Sequence, residues 1–469
     1  MYWYNHYFVI ERYGISGRSA NEIASSVEAA LRDGRLAPGD ALPPVRALAA
    51  QLGVSPGTVA AAYRSLRERG VVETAGRHGT RIRSRPAVAP RMSLRLPVPA
   101  GVRDLSKGSP DPALLPDPAP LLARVPVTPV GYDAGGVLPE LADLAKHRLA
   151  ADQIPTPALT LTNGALDGIE RLLATNLRPG DRIAVEDPGW ANLLDLVAAL
   201  NLQPVGVPMD QSGPSPDGLR RALAAGARAV VITSRSHNPT GVSVTAERAN
   251  QLREVLADYP NCLVIEDDHA AELAIEPISP LAGCTQSWAF LRSVSKPYGP
   301  DLRLAVLAGD EATVARVTGR MRLGAAWVST VLQHLVVAMW RDPAVTRLIT
   351  HARQVYARRR ESLIRALAER GITAYGRSGL NIWIPLGSQA HDSGGSRYGA
   401  DRQIGTGREA AVVARLRDAG WAVAPGAMYR IASPPGIRVT ISELRPEEVE
   451  PLADAILAAW HLSPTHPGV

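Results

Sequence analysis

Lys296 sits in Ser293-Val294-Ser295-Lys296, and the chain holds only two other lysines, Lys107 and Lys146, among 51 Lys+Arg. Nearly every cation is therefore arginine, and composition alone favours arginine at this position too. A guanidinium is effectively never deprotonated and cannot form an imine. A lysine amine flanked by small hydroxyl residues can, once burial or a nearby cation lowers its pKa. Taken alone, Lys296 reads as a loop lysine. Four upstream motifs change that reading.

Thr162-Asn163-Gly164-Ala165-Leu166-Asp167-Gly168 follows the apolar run Ala158-Leu159-Thr160-Leu161. It opens a helical pattern, so the backbone around Gly164, Ala165 and Leu166 can cradle an anion at a helix start. Glu186-Asp187-Pro188-Gly189-Trp190 ends a strand-like run and offers an aromatic face. The turn His237-Asn238-Pro239-Thr240-Gly241 offers the Asn238 amide, and Leu263-Val264-Ile265-Glu266-Asp267-Asp268 delivers acids at the end of an apolar run. Arg303 lies seven residues beyond Lys296 and can reach back toward the same anion. An amine, an anion cradle, a stacking face, an amide donor and a carboxylate are together what pyridoxal phosphate requires, the carboxylate keeping the pyridine nitrogen protonated. Each motif has an ordinary structural role as a turn, cap or core residue. Their joint placement after successive strands of one α/β run is what ligand binding needs.

Residues from about 104 to 460 resemble a fold-type I, aspartate aminotransferase-like protein, which implies an α/β domain with a smaller C-terminal α+β subdomain. On that resemblance Lys296 is the Schiff-base lysine, Asp267 pairs with the pyridine nitrogen, Asn238 touches O3′ and Trp190 stacks on the ring. Ser293, Ser295 and Arg303 belong to the phosphate site with Gly164, Ala165 and Leu166. Arg438, in Gly436-Ile437-Arg438-Val439-Thr440-Ile441, matches the arginine that grips a substrate carboxylate. Tyr132 matches a tyrosine that reaches the neighbouring subunit's phosphate, which implies a homodimer. Two positions depart from the pattern: His269 stands where a tyrosine usually bonds O3′, and Leu166 where a polar phosphate ligand is common.

The first ninety residues carry a different pattern. Ile23, Val27, Ala30 and Leu31 mark one helix face; Val45, Leu48, Ala49 and Leu52 mark a second. After Gly53-Val54, Ser55 reads as an N-cap with Pro56 at the first helical position. Val59, Ala62, Tyr63 and Leu66 then follow at i, i+3, i+4, i+7 up to Gly70. Two short strands around Gly76-Arg77-His78-Gly79 complete a winged helix-turn-helix. Residues 1–90 hold twelve arginines against seven acids, so most of the formal +6 is concentrated where DNA phosphates would be met. Arg46, Arg64 and Arg77 are the phosphate candidates. Ser55, Gly57 and Thr58 face the groove, with His78 at the wing tip.

Leu42-Pro43-Pro44-Val45-Arg46 and Val54-Ser55-Pro56-Gly57-Thr58-Val59 resemble the signatures of the GntR-type DNA-binding domain. A winged helix (13–83), a Pro-rich linker (84–103) and an aminotransferase-like effector domain (104–462) give the layout of the MocR/GabR-like family. The resemblance implies a transcriptional regulator that binds operator DNA. It would sense pyridoxal phosphate, or an amine or amino acid, through an aldimine at Lys296. Physiological turnover is not expected, although aminotransferase half-reactions stay open. An active aminotransferase with a DNA-binding appendage and a scaffolding dimer are the competing readings.

The linker, fully extended at ~3.1 Å per residue, would span roughly 60 Å. Residues 387–407 are Gly/Ser/Asp-rich and read as a surface insertion. Cys262 and Cys284 lack metal or redox spacing, which fits a reducing cytoplasm and no metal. The apolar stretch from Ala325 to Trp340 is interrupted by Gln333 and His334 and too short to span a bilayer, and no signal peptide is evident. The aromatic opening Tyr2-Trp3-Tyr4-Asn5-His6-Tyr7-Phe8 has no assigned role.

Overall fold

The computed structural model describes residues 14–68, 70–74, 79–83, 90–126, 128–133, 135–386 and 400–460. The chain separates into two compact units whose main division falls between Pro90 and Arg91.

The first unit up to Pro90 is three helices and a hairpin, and Arg178–Asp181 and Asp195–Gln203 group with it. Helix α1 (Ala20–Arg32) starts at Ser19, whose side chain accepts from the Glu22 amide. Helix α2 (Val45–Leu52) stops at Gly53, which takes the left-handed conformation (φ 65°) that a glycine reaches without a Cβ penalty. Helix α3 (Pro56–Glu68) follows at once, its first turn capped by Ser55 Oγ accepting from the Thr58 amide at 3.1 Å. Strands β1 (Val72–Thr74) and β2 (Thr80–Ile82) pair antiparallel, with Val72 opposite Ile82. Ile23, Val27, Leu48, Val59, Ala62, Leu66 and Ile82 form the dry centre. The Tyr63 hydroxyl donates to the Pro43 carbonyl at 2.8 Å and ties α3 to the turn before α2.

The second unit opens with a short 3-10 turn, Arg91–Leu94, and strand β3 (Arg103–Asp104). Eight strands then build the main sheet: β4 (Ala158–Thr162), β5 (Arg182–Asp187), β6 (Gln203–Asp210), β7 (Gly213–Pro214), β8 (Ala227–Thr233), β9 (Leu263–Asp268), β10 (Ser287–Ser293) and β11 (Ala305–Gly309). Their order is β4-β11-β10-β9-β8-β5-β6-β7. Strands β5, β8, β9 and β10 are parallel neighbours, while β11 runs antiparallel between β10 and β4. Ala-Val-Val-Ile of β8 and Leu-Val-Ile of β9 are apolar on both faces and buried, as sheets covered by helices on both sides require. The buried polar residues of the parallel strands gather at their C-terminal ends.

A smaller sheet is formed by β12 (Asn381–Pro385), β14 (Ala424–Pro425) and β15 (Gly436–Thr440) in the order β12-β15-β14. Strand β13 (Trp421–Ala422) pairs in parallel with β3, so part of the segment read as linker is built into this unit. The 27-residue helix Pro343–Glu369 buries Val345, Ile349, Ala352, Tyr356, Leu363 and Leu367 along one side. The apolar stretch before Trp340 belongs to the helix Thr330–Arg341. Gln333 is buried there and receives or donates bonds to Leu138, Gly136 and Val328. Among the described residues no helix is long and apolar enough to cross a membrane.

Candidate functional site

A cavity of about 380 Å³ opens at the C-terminal ends of the parallel strands. Strand β4 delivers Ala165 and Leu166, β5 delivers Trp190, β8 delivers Asn238, β9 delivers Asp267 and His269, and β10 delivers Ser293, Ser295 and Lys296. Arg303 and Arg438 also line it, the latter from β15 of the smaller sheet. Residues spread over more than 270 positions of sequence thus converge on one pocket.

The cradle end is shaped by backbone geometry. Gly164 has φ 97°, and a Cβ there would sit 2.8 Å from Arg303 Nη2. Arg303 itself is left-handed (φ 43°) and donates to the Asn163 carbonyl at 3.1 Å. The helix Ala165–Asn176 begins at this point, so its first N–H groups face the same space as the guanidinium and the Ser293 and Ser295 hydroxyls.

Asp267, also lining the cavity, is 1% exposed. Its Oδ2 meets His269 Nδ1 at 3.1 Å, whereas its buried Oδ1 has no hydrogen-bond partner. A buried carboxylate oxygen without a donor is costly unless something supplies one. A protonated pyridine nitrogen is such a donor, and the residues present fit pyridoxal phosphate on this count and on the Gly164 cradle.

The next residue, Asp268, points to the other face of β9, as strand alternation dictates. It is fully buried and held by Arg235 (2.7 Å) and Arg292 (2.8 Å), with Arg292 continuing to Asp152 (2.7 Å). Burial works against the Asp268 charge, but Arg292 and Arg235 hold its carboxyl down at about 2. Glu266 has no such cations, and burial pushes it up to about 7 despite bonds from Leu281 N and Ser234 Oγ. Three consecutive acids therefore have three separate environments.

Lys296 lines the same pocket. Burial first, and the nearby Arg438 guanidinium second, lower its amine from the ordinary lysine range to about 8, with Asp267 opposing them. Its Nζ donates to the Gly108 carbonyl. Arg438 is 4% exposed and donates to Asn238 Oδ1 (3.1 Å) and the Ser106 carbonyl. Its guanidinium lies 5.0 Å from the Tyr429 ring centre. No carboxylate among the described residues is within ion-pair reach of it. With Oδ1 of Asn238 engaged by Arg438, the amide nitrogen is left as the donor.

Tyr132 does not line this pocket. It is 96% exposed, with its ring edge-on to Trp327 at 6.2 Å. Met92, Lys107, Gly108, Ser109, Asn192, Asn381 and Tyr429 do line it and had no motif to announce them. Gly108 takes φ 69°, a backbone conformation that no sequence motif marked.

In the first unit Arg46, Ser55, Gly57 and Arg64 are exposed and Thr58 half-buried. Gly57 and Arg64, seven residues apart on α3, share a face. Ser55 Oγ and Thr58 Oγ1 lie 2.9 Å apart, so the cap and the groove candidate constrain each other. Arg77 and His78 fall outside the described residues. Among those described, no cluster of His, Cys, Asp or Glu could hold a metal, and Cys262 and Cys284 are free thiols.

Comparison with known proteins matches residues 137–456 to aminotransferase class I and II and residues 19–82 to the gntR family of bacterial regulatory proteins. The chain is 40% identical over 441 residues to the vitamin B6 salvage pathway transcriptional repressor PtsJ of Salmonella typhimurium, covering 94% of this chain and 98% of that one. It is 30% identical over 354 residues to the HTH-type pyridoxine biosynthesis transcriptional regulator PdxR of Corynebacterium glutamicum, covering 72% and 76%. Among solved structures, a kynurenine aminotransferase of Pyrococcus horikoshii superposes with TM-score 0.65 at 19% identity, covering 77% of this chain and 91% of that one. An aspartate aminotransferase of Thermus thermophilus gives 0.63 at 20%, covering 79% and 99%. The structural likenesses establish the fold of the second unit, and the near full-length match to PtsJ establishes the family. The chain belongs to the MocR/GabR-type transcriptional regulators, in which a GntR-type winged helix is fused to an aminotransferase-like domain that takes pyridoxal phosphate.

Proposed function

We propose that this chain represses transcription from a vitamin B6-related promoter, binding its operator as a homodimer in the cytoplasm and reading pyridoxal phosphate in the Lys296 pocket. The carrying observation is the pairing of a buried, readily deprotonated lysine with an unpartnered Asp267 Oδ1 in one cavity. When bound, the cofactor supplies an aldehyde and an electron-poor ring. Lys296 would capture the aldehyde, Asp267 would accept from the pyridine nitrogen, and Trp190 would cover a ring face. Asn238 would donate to O3′; Ser293, Ser295, Arg303 and the Gly164–Leu166 backbone would hold the phosphate. Arg438 remains as a buried cation facing the pocket, suited to the carboxylate of an amino-acid effector.

The promoter assignment rests on what the names of PtsJ and PdxR say of those proteins. The DNA side rests on the exposed Arg46 and Arg64 flanking the Ser55–Thr58 helix start. Two such modules in one dimer would gain affinity through effective concentration. Tyr132, exposed here, is proposed to complete the partner's phosphate site. The test is fluorescence anisotropy on the gene's own upstream DNA, with and without pyridoxal phosphate, for wild type and Lys296→Ala. The variant should bind DNA but lose the cofactor response. A wild-type affinity unchanged by the cofactor refutes the regulatory reading.

A further inference from the structure

The chain leaves the first unit and, within twenty residues, contacts both reactive side chains of the pocket. Residues 91–109 form a strap fastened along its length, with Arg103 N donating to Gly420 O (2.9 Å) and Arg103 Nε to Glu448 Oε1 (3.0 Å). At its start, Arg91 donates to the Arg430 carbonyl at 3.0 Å, and Arg95 donates to Ser106 Oγ (2.6 Å) and Asp104 Oδ2 (2.7 Å). In its middle, Leu105 N donates to Ala422 O (2.8 Å), and Leu105 O accepts from Thr440 N (2.8 Å). At its end, Gly108 N donates to Thr440 Oγ1 at 3.0 Å. The Ser106 and Gly108 carbonyls accept from Arg438 and Lys296 respectively. Gly108 packs so closely that a Cβ there would meet Arg438 Nη1 at 2.9 Å.

Resting on the cofactor reading above, we infer that this strap is a release device. The Lys296 bond to Gly108 O is the catch, and covalent capture of the cofactor undoes it. Condensation of the Lys296 amine with an aldehyde forms one C=N bond, breaks the C=O bond and expels water, which carries away both amine hydrogens. A protonated imine would carry a single hydrogen, taken up from solvent, and the cofactor's own acceptor groups would compete for it. Gly108 O therefore loses its donor. A carboxylate on Arg438 would draw that guanidinium from Ser106 O by the same competition.

Loss of these bonds leaves Ser106 held less firmly, and Arg95 is clipped to Ser106. Occupancy of the pocket is thereby converted into a looser strap: capture at Lys296 frees Gly108 O, and a carboxylate on Arg438 would free Ser106 O.

Hydrogen exchange followed by mass spectrometry on the full-length protein tests this, with borohydride reduction of a parallel sample to report the adduct. In the wild type, peptides covering residues 103–109 should exchange about tenfold faster once the adduct forms, the scale of one charge-assisted hydrogen bond. Lys296→Arg cannot form an imine yet retains a donor, so its strap should stay protected with and without cofactor. Gly108→Ala should exchange fast without cofactor, and circular dichroism would confirm that it remains folded. Full adduct with unchanged exchange overturns the release device and leaves the cofactor reading standing. Absence of any adduct at Lys296 overturns both.

Discussion

The lowered Lys296 pKa makes the rate of cofactor capture a readout of pocket electrostatics. Only the neutral amine attacks an aldehyde. With a pKa of about 8, about 9% of Lys296 is neutral at pH 7, against about 0.03% for a lysine at 10.5, a roughly 300-fold gain. Below pH 8 the capture rate should rise about tenfold per pH unit, then level off above 8. The assay is stopped-flow absorbance of apo-protein mixed with pyridoxal phosphate from pH 6 to 10. Dividing by the rate for a free lysine analogue, itself first corrected for its neutral-amine fraction, removes the cofactor's own ionisations. Two variants test the causes by sign. Arg438→Gln removes a cation that lowers the pKa, so the bend should move to higher pH. Asp267→Asn removes a carboxylate that raises it, so the bend should move lower. A wild-type bend near 10, or two variants moving the same way, would refute the reasoning.

Arg46→Ala and Arg64→Ala should each weaken DNA binding on every sequence and reduce the salt slope by about one, whereas Thr58→Ala should lower discrimination between operator and random DNA; anisotropy titrations at several salt concentrations separate the two. Asp268→Asn leaves Arg235 and Arg292 buried with a weaker partner and should cost about 3–5 kcal/mol in urea unfolding. Because the folded carboxyl is depressed to about 2, the contribution of Asp268 is present above the ordinary aspartate range and fades as pH falls from ~4 through about 2. Gly164→Ala puts a methyl against the Arg303 guanidinium at φ 97°, and equilibrium dialysis should show cofactor affinity down by about tenfold or more.

Much of the site was legible because it lies on short motifs at strand ends. Gly164, Trp190, Asn238, Asp267 and Lys296 each follow an apolar run, and alternation along β9 explains why Asp267 and not Asp268 faces the cavity. The winged helix was equally readable, since Val59, Ala62, Tyr63 and Leu66 repeat at helical spacing and are all buried. What sequence did not show were contacts set by tertiary closure. Gly108 and Ser106 act through backbone carbonyls, which carry no side-chain signature. Asn381 and Tyr429 reach the pocket from the smaller sheet, and no local pattern links them to Lys296. His269 was read as standing in for a hydroxyl at O3′; in the structure its Nδ1 lies 3.1 Å from Asp267.

The scarcity of lysine also governs how cleanly the protein can count its ligand. Pyridoxal phosphate reacts with amines at large, and a lysine-rich surface would soak it up in slow, heterogeneous side reactions. Here Lys107 and Lys146 are exposed and the remaining side-chain positive charge, histidine aside, is arginine, which does not compete. Side-chain capture beyond Lys296 is therefore confined to two residues, Lys107 and Lys146. Replacing lysine by arginine over the rest of the surface keeps the off-target background of a reactive aldehyde small.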